Sequence, residues 1–402
     1  PAAATKVTLA LGLEQTTGKA WFDDVSVRVV ARRRPATAHA GPVFKGHNHT
    51  RLRGAMIGPR LTEEDLRVLG GKWKANHVRW QLIWGGFPHG PGDKATVAEY
   101  EQWLDGQMDR LARFLPVCRE LGVLVLIDMH TPPGGRDEEN RCRMFAEAEF
   151  QQAFVRSWDR IARRFRNEKI VWGYDLVNEP VEGAVADGLM DWQALAEHTA
   201  KRVRAIDAEH AIIVEPAPWG SPGSLAHFDP LDVPGVVYSV HMYQPHHFTH
   251  QGVRDTPFGP TYPGVIDGKH WDKEQLREAL RPAIEFQRDY GVHIYIGEFS
   301  AIRWAPNDSA YRYLRDVIEL CEEYEWDWAY HAFREFDGWS VEHGADPKNR
   351  RPVTTPTTRE RLLRSWFEKN QRAQAQFPID RNADASRLVA VPRSRSLLSG
   401  RR

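Results

Sequence analysis

Tyr174-Asp175-Leu176-Val177-Asn178-Glu179-Pro180 and Tyr295-Ile296-Gly297-Glu298-Phe299 are two apolar runs that each reach a glutamate. A buried strand reads this way when a carboxylate sits at its C-terminal mouth. In a closed parallel barrel the C-terminal strand ends surround one opening, so two such strands would bring their carboxyl groups together. Either glutamate alone could be an ordinary exposed residue after a core strand. The shared context argues for a common site.

Working outward, the pattern from about residue 52 repeats strand, turn and helix. Strands are expected at 53–57, 75–80, 122–128, 170–177, 211–215, 235–241, 292–298 and 326–332. Helix starts carry capping signals in Thr62 with Asp65, Thr96 with Glu99 and Asp272 with Gln275. Eight such units without a glycine-rich phosphate loop predict an α/β fold, a (β/α)8 barrel over residues 45–372, rather than an open doubly wound sheet. Two loops are long, from Thr131 to about Ala146 and from Gln244 to about Lys269, and belong on the active face.

Outside the barrel, residues 1–34 read as a β-hairpin. Val7, Leu9, Leu11 and Leu13 alternate, as do Val25, Val27 and Val29. Gly18-Lys19-Ala20-Trp21-Phe22-Asp23-Asp24-Val25 resembles the closing strands of a jelly-roll carbohydrate-binding module. Residues 35–44 read as a linker and 373–402 as a basic tail.

Lys+Arg and Asp+Glu both number 54, so the formal net charge is zero and nothing argues for nucleic acid as a partner. No run approaches the ~18 apolar residues of a membrane span. The three cysteines, Cys118, Cys142 and Cys321, argue against a disulfide framework. The chain starts at Pro1 with no initiator Met or signal peptide, as a processed or trimmed product would. Fifteen tryptophans are an excess that suits sugar faces, although core packing uses them as well.

The polar residues at expected strand ends form an ordered set: Arg79, then His130, then Asn178-Glu179-Pro180, then His241-Met242-Tyr243, then Glu298, with His331, Phe333 and Trp339 last. This order resembles glycoside hydrolase family 5, the cellulase-like retaining enzymes of clan A, over roughly residues 45–370. The resemblance implies that Glu179 is the general acid/base and Glu298 the nucleophile. Asn178 would bond the sugar 2-OH, and Arg79 and Tyr243 would contact the nucleophile. His130 and His241 would bind sugar at the cleavage subsite. The family places a Trp at the end of strand eight. Here His331 or Phe333 stands there, depending on register, and Trp339 would supply a platform from the loop. Read singly, Arg79 could be a salt bridge, the two histidines core groups and Tyr243 a wall residue.

The resemblance implies a retaining endo-acting β-glycoside hydrolase that needs no cofactor and no metal, working by two displacements between paired carboxyl groups. Endo-β-1,4-glucanase leads by prevalence, with β-mannanase, xyloglucanase or another β-glycosidase as alternatives. The expected partner is a polysaccharide or oligosaccharide, and the expected state is a secreted monomer with no membrane attachment. Trp84, Trp219, Trp304 and Trp339 are expected to line an open groove. A metal-dependent barrel hydrolase is the competing class, because His47-Asn48-His49, before strand one, gives a His-x-His motif; separately, His246, His247 and His250 in the sixth loop resemble a metal cluster by spacing. A non-catalytic sugar-binding barrel is a third.

Overall fold

The computed structural model describes residues 42–85 and 90–370. The expected hairpin, most of the linker and the basic tail lie outside the described residues. Eight parallel strands close into a barrel: β1 (Arg53–Ile57), β2 (His77–Gln81), β3 (Leu124–Asp128), β4 (Val171–Asp175), β5 (Ala211–Val214), β6 (Val236–Met242), β9 (Ile294–Phe299) and β10 (Asp327–Phe333), the last pairing with β1. Between β6 and β9 a two-stranded antiparallel hairpin, β7 (Gly264–Ile266) and β8 (Lys269–Trp271), stands apart from the barrel.

Each barrel strand is buried over most or all of its length, which explains why its sequence reads as a nearly continuous apolar run instead of an alternating one. After the short α1 (Glu63–Leu66), helices α2 (Val97–Leu121), α3 (Ala148–Phe165), α4 (Trp192–Ile206), α6 (Lys273–Tyr290), α7 (Ser309–Glu323) and α8 (Thr358–Phe367) cover the barrel, and the one-turn α5 (His246–Thr249) lies in the loop after β6. The capping signals act as read. Thr62 and Thr96 make reciprocal capping boxes with Asp65 and Glu99, and Asp272 accepts from the Gln275 N–H. Gly122 ends α2 in the left-handed conformation at φ 67°, where a side chain would be strained.

Two irregular pairings aim side chains at the mouth. Between β6 and β9 the register runs from Val240↔Ile296 to His241↔Glu298, so Gly297 is skipped. A Cβ on Gly297 would lie 2.6 Å from Ser239 Oγ and 3.0 Å from His241 Nε2, so glycine leaves the room that the imidazole occupies. Between β1 and β10 the register runs from Ala55↔Tyr330 to Ile57↔Phe333, leaving an extra residue in β10. Such bulges bend a strand and re-aim its side chains. His331 accordingly faces the opening, whereas Phe333 is buried edge-on against Trp73 at 5.1 Å between ring centroids.

Candidate active site

Arg79, the central residue of β2, is fully buried beneath the mouth. Its guanidinium reaches four carboxylates: Asp128 at 3.1 Å, Asp175 at 2.9 Å, Glu215 at 2.9 Å and Glu298 at 2.6 Å. It also donates to Asn178 Oδ1 at 3.1 Å. Burial opposes its charge, but the four carboxylates outweigh burial. A rigid planar fork with five donors is the group that can serve so many acceptors at once.

Glu298, on β9, takes four side-chain contacts: Arg79 Nη1 at 2.6 Å, the Tyr243 hydroxyl at 2.9 Å, His331 Nδ1 at 3.0 Å and His241 Nδ1 at 3.8 Å. Burial alone would push its carboxyl up, yet His241, His331 and Arg79 hold it well below the usual range. The Tyr243 phenol is raised well above its ordinary value by burial and by Glu298, so it remains a neutral donor.

Glu179 follows the end of β4 with a left-handed backbone at φ 46°, uncommon for a residue with a side chain. Its neighbours fix that conformation. Its N–H donates to Glu215 Oε2 at 2.8 Å, and its carbonyl accepts from Arg136 at 2.8 Å. Its Oε1 meets His241 Nδ1 at 2.8 Å. The other His241 nitrogen lies 3.1 Å from Glu215 Oε1. Burial opposes a charge on His241, and Glu215, Glu298 and Glu179 together raise it well above its ordinary value. The nearest carboxylate oxygens of Glu179 and Glu298 lie within 4.8 Å of each other.

These groups open onto a groove of about 910 Å³. His130, Asn178, Glu179, His241, Tyr243, Glu298 and Trp339 line it, and Arg79 lies beneath. His130 is anchored through Nδ1 to Asp128 at 2.8 Å. The Asn178 Nδ2 is buried with no hydrogen-bond partner among the described residues. Trp339 donates to the Thr249 carbonyl at 3.1 Å and packs against Tyr243, His250 and His331. Trp219 joins it on the groove wall. Trp84 and Trp304 do not: Trp84 stacks on Trp103 at 5.1 Å, and Trp304 donates to the Gln251 carbonyl. Their place in loops near strand ends did not reveal that neighbouring aromatic and backbone groups capture their rings.

The expected histidine groups separate. His246 and His250 stack at 3.9 Å and line the groove, while His247 turns away to Asp267 at 2.6 Å. His47 lies at the opposite, N-terminal end of the barrel, bonded to Asp327. Sequence reading did not single out Glu215, Arg136 or Glu335. Glu215 did carry a signal: Ala211-Ile212-Ile213-Val214-Glu215-Pro216 is again an apolar run reaching a glutamate.

The family model described as cellulase (glycosyl hydrolase family 5) matches residues 37–337. The chain belongs to this family. It is a glycoside hydrolase, acting on O-glycosyl bonds. Among curated relatives, endoglucanase C of Acetivibrio thermocellus is 28% identical over 303 residues, covering 69% of this chain and 85% of that protein. Cellodextrinase A of Ruminococcus flavefaciens is 26% identical over 265 residues, covering 65% and 74%. Among solved structures, Thermotoga maritima Cel5A with cellobiose superposes at a TM-score of 0.59 and 23% identity, covering 77% of this chain and 96% of that one. That likeness shows the shared barrel.

Proposed function

We propose that this glycoside hydrolase is a retaining endo-β-1,4-glucanase in which Glu298 is the nucleophile and Glu179 the acid/base. The observation that carries the reading is the spacing of the two carboxylates, with nearest oxygens within 4.8 Å. Retaining enzymes hold their carboxyl groups about 5–5.5 Å apart, whereas inverting enzymes leave about 6.5–9.5 Å for a water. Glu298, held ionised by His241, His331 and Arg79, attacks the anomeric carbon as Glu179 protonates the departing oxygen. A glycosyl ester on Glu298 results. Glu179 then takes a proton from water, which displaces Glu298 and restores the original anomeric configuration.

Asn178 Nδ2, buried and unpartnered among the described residues, suits the sugar 2-OH. His130 and His241 suit the other hydroxyls at the cleavage subsite, and Trp339 and Trp219 offer faces for stacking. The groove lies within one chain, so a monomer suffices, and a polymeric substrate outside the cell favours secretion. The relatives' names, endoglucanase and cellodextrinase, support a β-1,4-glucan. The test is a panel of carboxymethyl-cellulose, mixed-linkage glucan, xyloglucan and mannan. The reading expects an early fall in viscosity with the cellulose derivative or mixed-linkage glucan. Cleavage of mannan or xyloglucan alone would move the substrate, and turnover confined to aryl glycosides would remove the endo assignment.

A further inference from the structure

His331 touches the nucleophile with one nitrogen and a second carboxylate with the other. Its Nδ1 lies 3.0 Å from Glu298 Oε2 and also meets the Tyr243 hydroxyl, while its Nε2 lies 3.5 Å from Glu335 Oε2. Glu335 is in turn fixed by the Gln81 side-chain amide at 2.7 Å. Gln81 ends β2, His331 lies in the bulged part of β10, and Glu335 follows that strand. The chain Gln81–Glu335–His331–Glu298 therefore ties β2, β10 and β9 together across the mouth. A histidine whose two nitrogens both face carboxylates donates through both only as an imidazolium.

We propose that His331 and Glu335 form a positioning pair for the nucleophile: Glu335 keeps His331 cationic, and His331 keeps Glu298 ionised and oriented toward the anomeric carbon. The proposal rests on the assignment of Glu298 as nucleophile. Neither residue needs to touch the substrate. Arg79 alone is divided among four carboxylates, so its charge is shared. His241 also faces Glu298, but at 3.8 Å and with both nitrogens committed to Glu179 and Glu215, whereas His331 is the nearer imidazole at 3.0 Å and supplies what that sharing withholds.

The groups around His331 agree. Burial opposes its charge, but Glu298 and then Glu335 raise it from 6.5 to about 10. Glu335 is itself held below its ordinary value: burial pushes it up, and His331, His130 and Gln81 outweigh this. From α5 (His246–Thr249) and the residue after it, His250 contributes no competing charge, because burial, His246 and His331 push it down to about 3. Tyr243 faces the ring as a neutral phenol, and Trp339 covers it at 4.9 Å between centroids.

The experiment measures the pH dependence of trapping by an activated fluorosugar cellobioside, whose glycosyl-enzyme accumulates on the attacking residue. Peptide mapping first locates the label. A label away from Glu298 defeats the nucleophile assignment and the pair with it. With the label on Glu298, the acidic limb of the trapping rate reports that carboxyl in the free enzyme. Removing a neighbouring cation destabilises the carboxylate, so the limb must move to higher pH. For His331→Asn the expected shift is about 1–2 pH units, in line with the loss of one close charge. For Glu335→Gln, which leaves the imidazole in place, a smaller shift in the same direction is expected, about half a unit. Limbs that coincide with wild type in both variants, with rates altered only in amplitude, would reduce the pair to a groove wall. If His331→Asn does not fold, the Glu335→Gln limb decides alone.

Discussion

At the N-terminal end of the barrel a single carboxylate gathers donors. Asp327 Oδ2 meets His47 Nε2 at 2.7 Å and His293 Nε2 at 2.6 Å, and its Oδ1 accepts from the Leu52 N–H at 2.6 Å. At the C-terminal end the balance is reversed: four carboxylates crowd one guanidinium, with Glu179 added through His241. The first arrangement is closed, with the His47, His293 and Asp327 side chains almost fully buried. The second leaves two carboxylates on the wall of a groove, one of them on a strained backbone. Barrels separate stability from chemistry in this way, because loops at the C-terminal face vary while the opposite face closes the core. The contrast implies that charge removed below should cost stability, and charge removed above should cost rate.

The largest effect expected is at Glu298. Glu298→Ala should lower turnover by roughly four to six orders of magnitude, the scale on which covalent catalysts fail. Glu179→Ala should differ in kind. A dinitrophenyl glycoside needs little protonation, so its glycosylation step survives and deglycosylation becomes limiting. Azide then attacks without base help, restores turnover and gives a β-glycosyl azide. With Glu298→Ala the same azide should give the α-anomer, because only one displacement occurs. Nuclear magnetic resonance of the products checks this, and identical anomers from both variants would require the roles to be reassigned.

Next in size is the loss of Asp327. Asp327→Ala leaves two buried imidazoles and a backbone N–H without their acceptor. Breaking such a buried arrangement costs about 3–5 kcal/mol. A drop in Tm of roughly 4–7 °C follows for a domain of this size. The kcat of the remaining folded enzyme at low temperature should stay near wild type. Calorimetry beside an activity assay tests both halves. An Asp327 variant that melts normally but loses kcat would erase the distinction between the two ends.

The barrel was legible because its strands are nearly continuous apolar runs with capped helices between them, and each expected strand overlaps an observed one. Observed strands mostly start later: His77 against 75, Leu124 against 122 and Ile294 against 292. The preceding apolar residues lie in the turns that enter the barrel. At the mouth, residues carried by a motif could be named in advance, but Glu215 could not be separated from Glu179 and Glu298. All three end apolar runs. Only barrel closure turns Glu215 toward Arg79 and His241, leaving it fully buried. The register at His331 depended on an extra residue in β10, a feature of pairing between distant segments. Asp327 begins a strand, where apolar patterning is silent about which end of the barrel a side chain serves.

A smaller effect should appear in acid. Burial pushes the Asp327 carboxyl up, but His47 and His293 outweigh it and hold it well below its ordinary value. A carboxyl depressed on folding contributes stability above its unfolded pKa, about 3.9, and loses it as pH falls toward the folded value. The stability difference between wild type and Asp327→Asn should therefore be steady from neutrality to about pH 4 and shrink below. Urea unfolding across that range measures it. A difference that stayed constant through the acid range would show that folding does not depress this carboxyl.

The smallest effect expected is that of a chelator, and it bears on the reading of His47-Asn48-His49 as a metal-binding pair. His47 Nδ1 accepts from the His49 N–H at 3.2 Å, so in the neutral ring Nε2 carries the proton and donates it to Asp327. A metal at Nε2 would have to shift that single proton to Nδ1, against the His49 donor. The cluster also sits at the end of the barrel away from Glu179 and Glu298. EDTA or phenanthroline should leave both kcat and Tm unchanged. His47→Ala should lower Tm without changing kcat, since it removes one of three donors to Asp327. Chelation that abolished turnover, with recovery on added zinc, would turn the N-terminal cluster from a brace into part of the chemistry and end the comparison of the two ends.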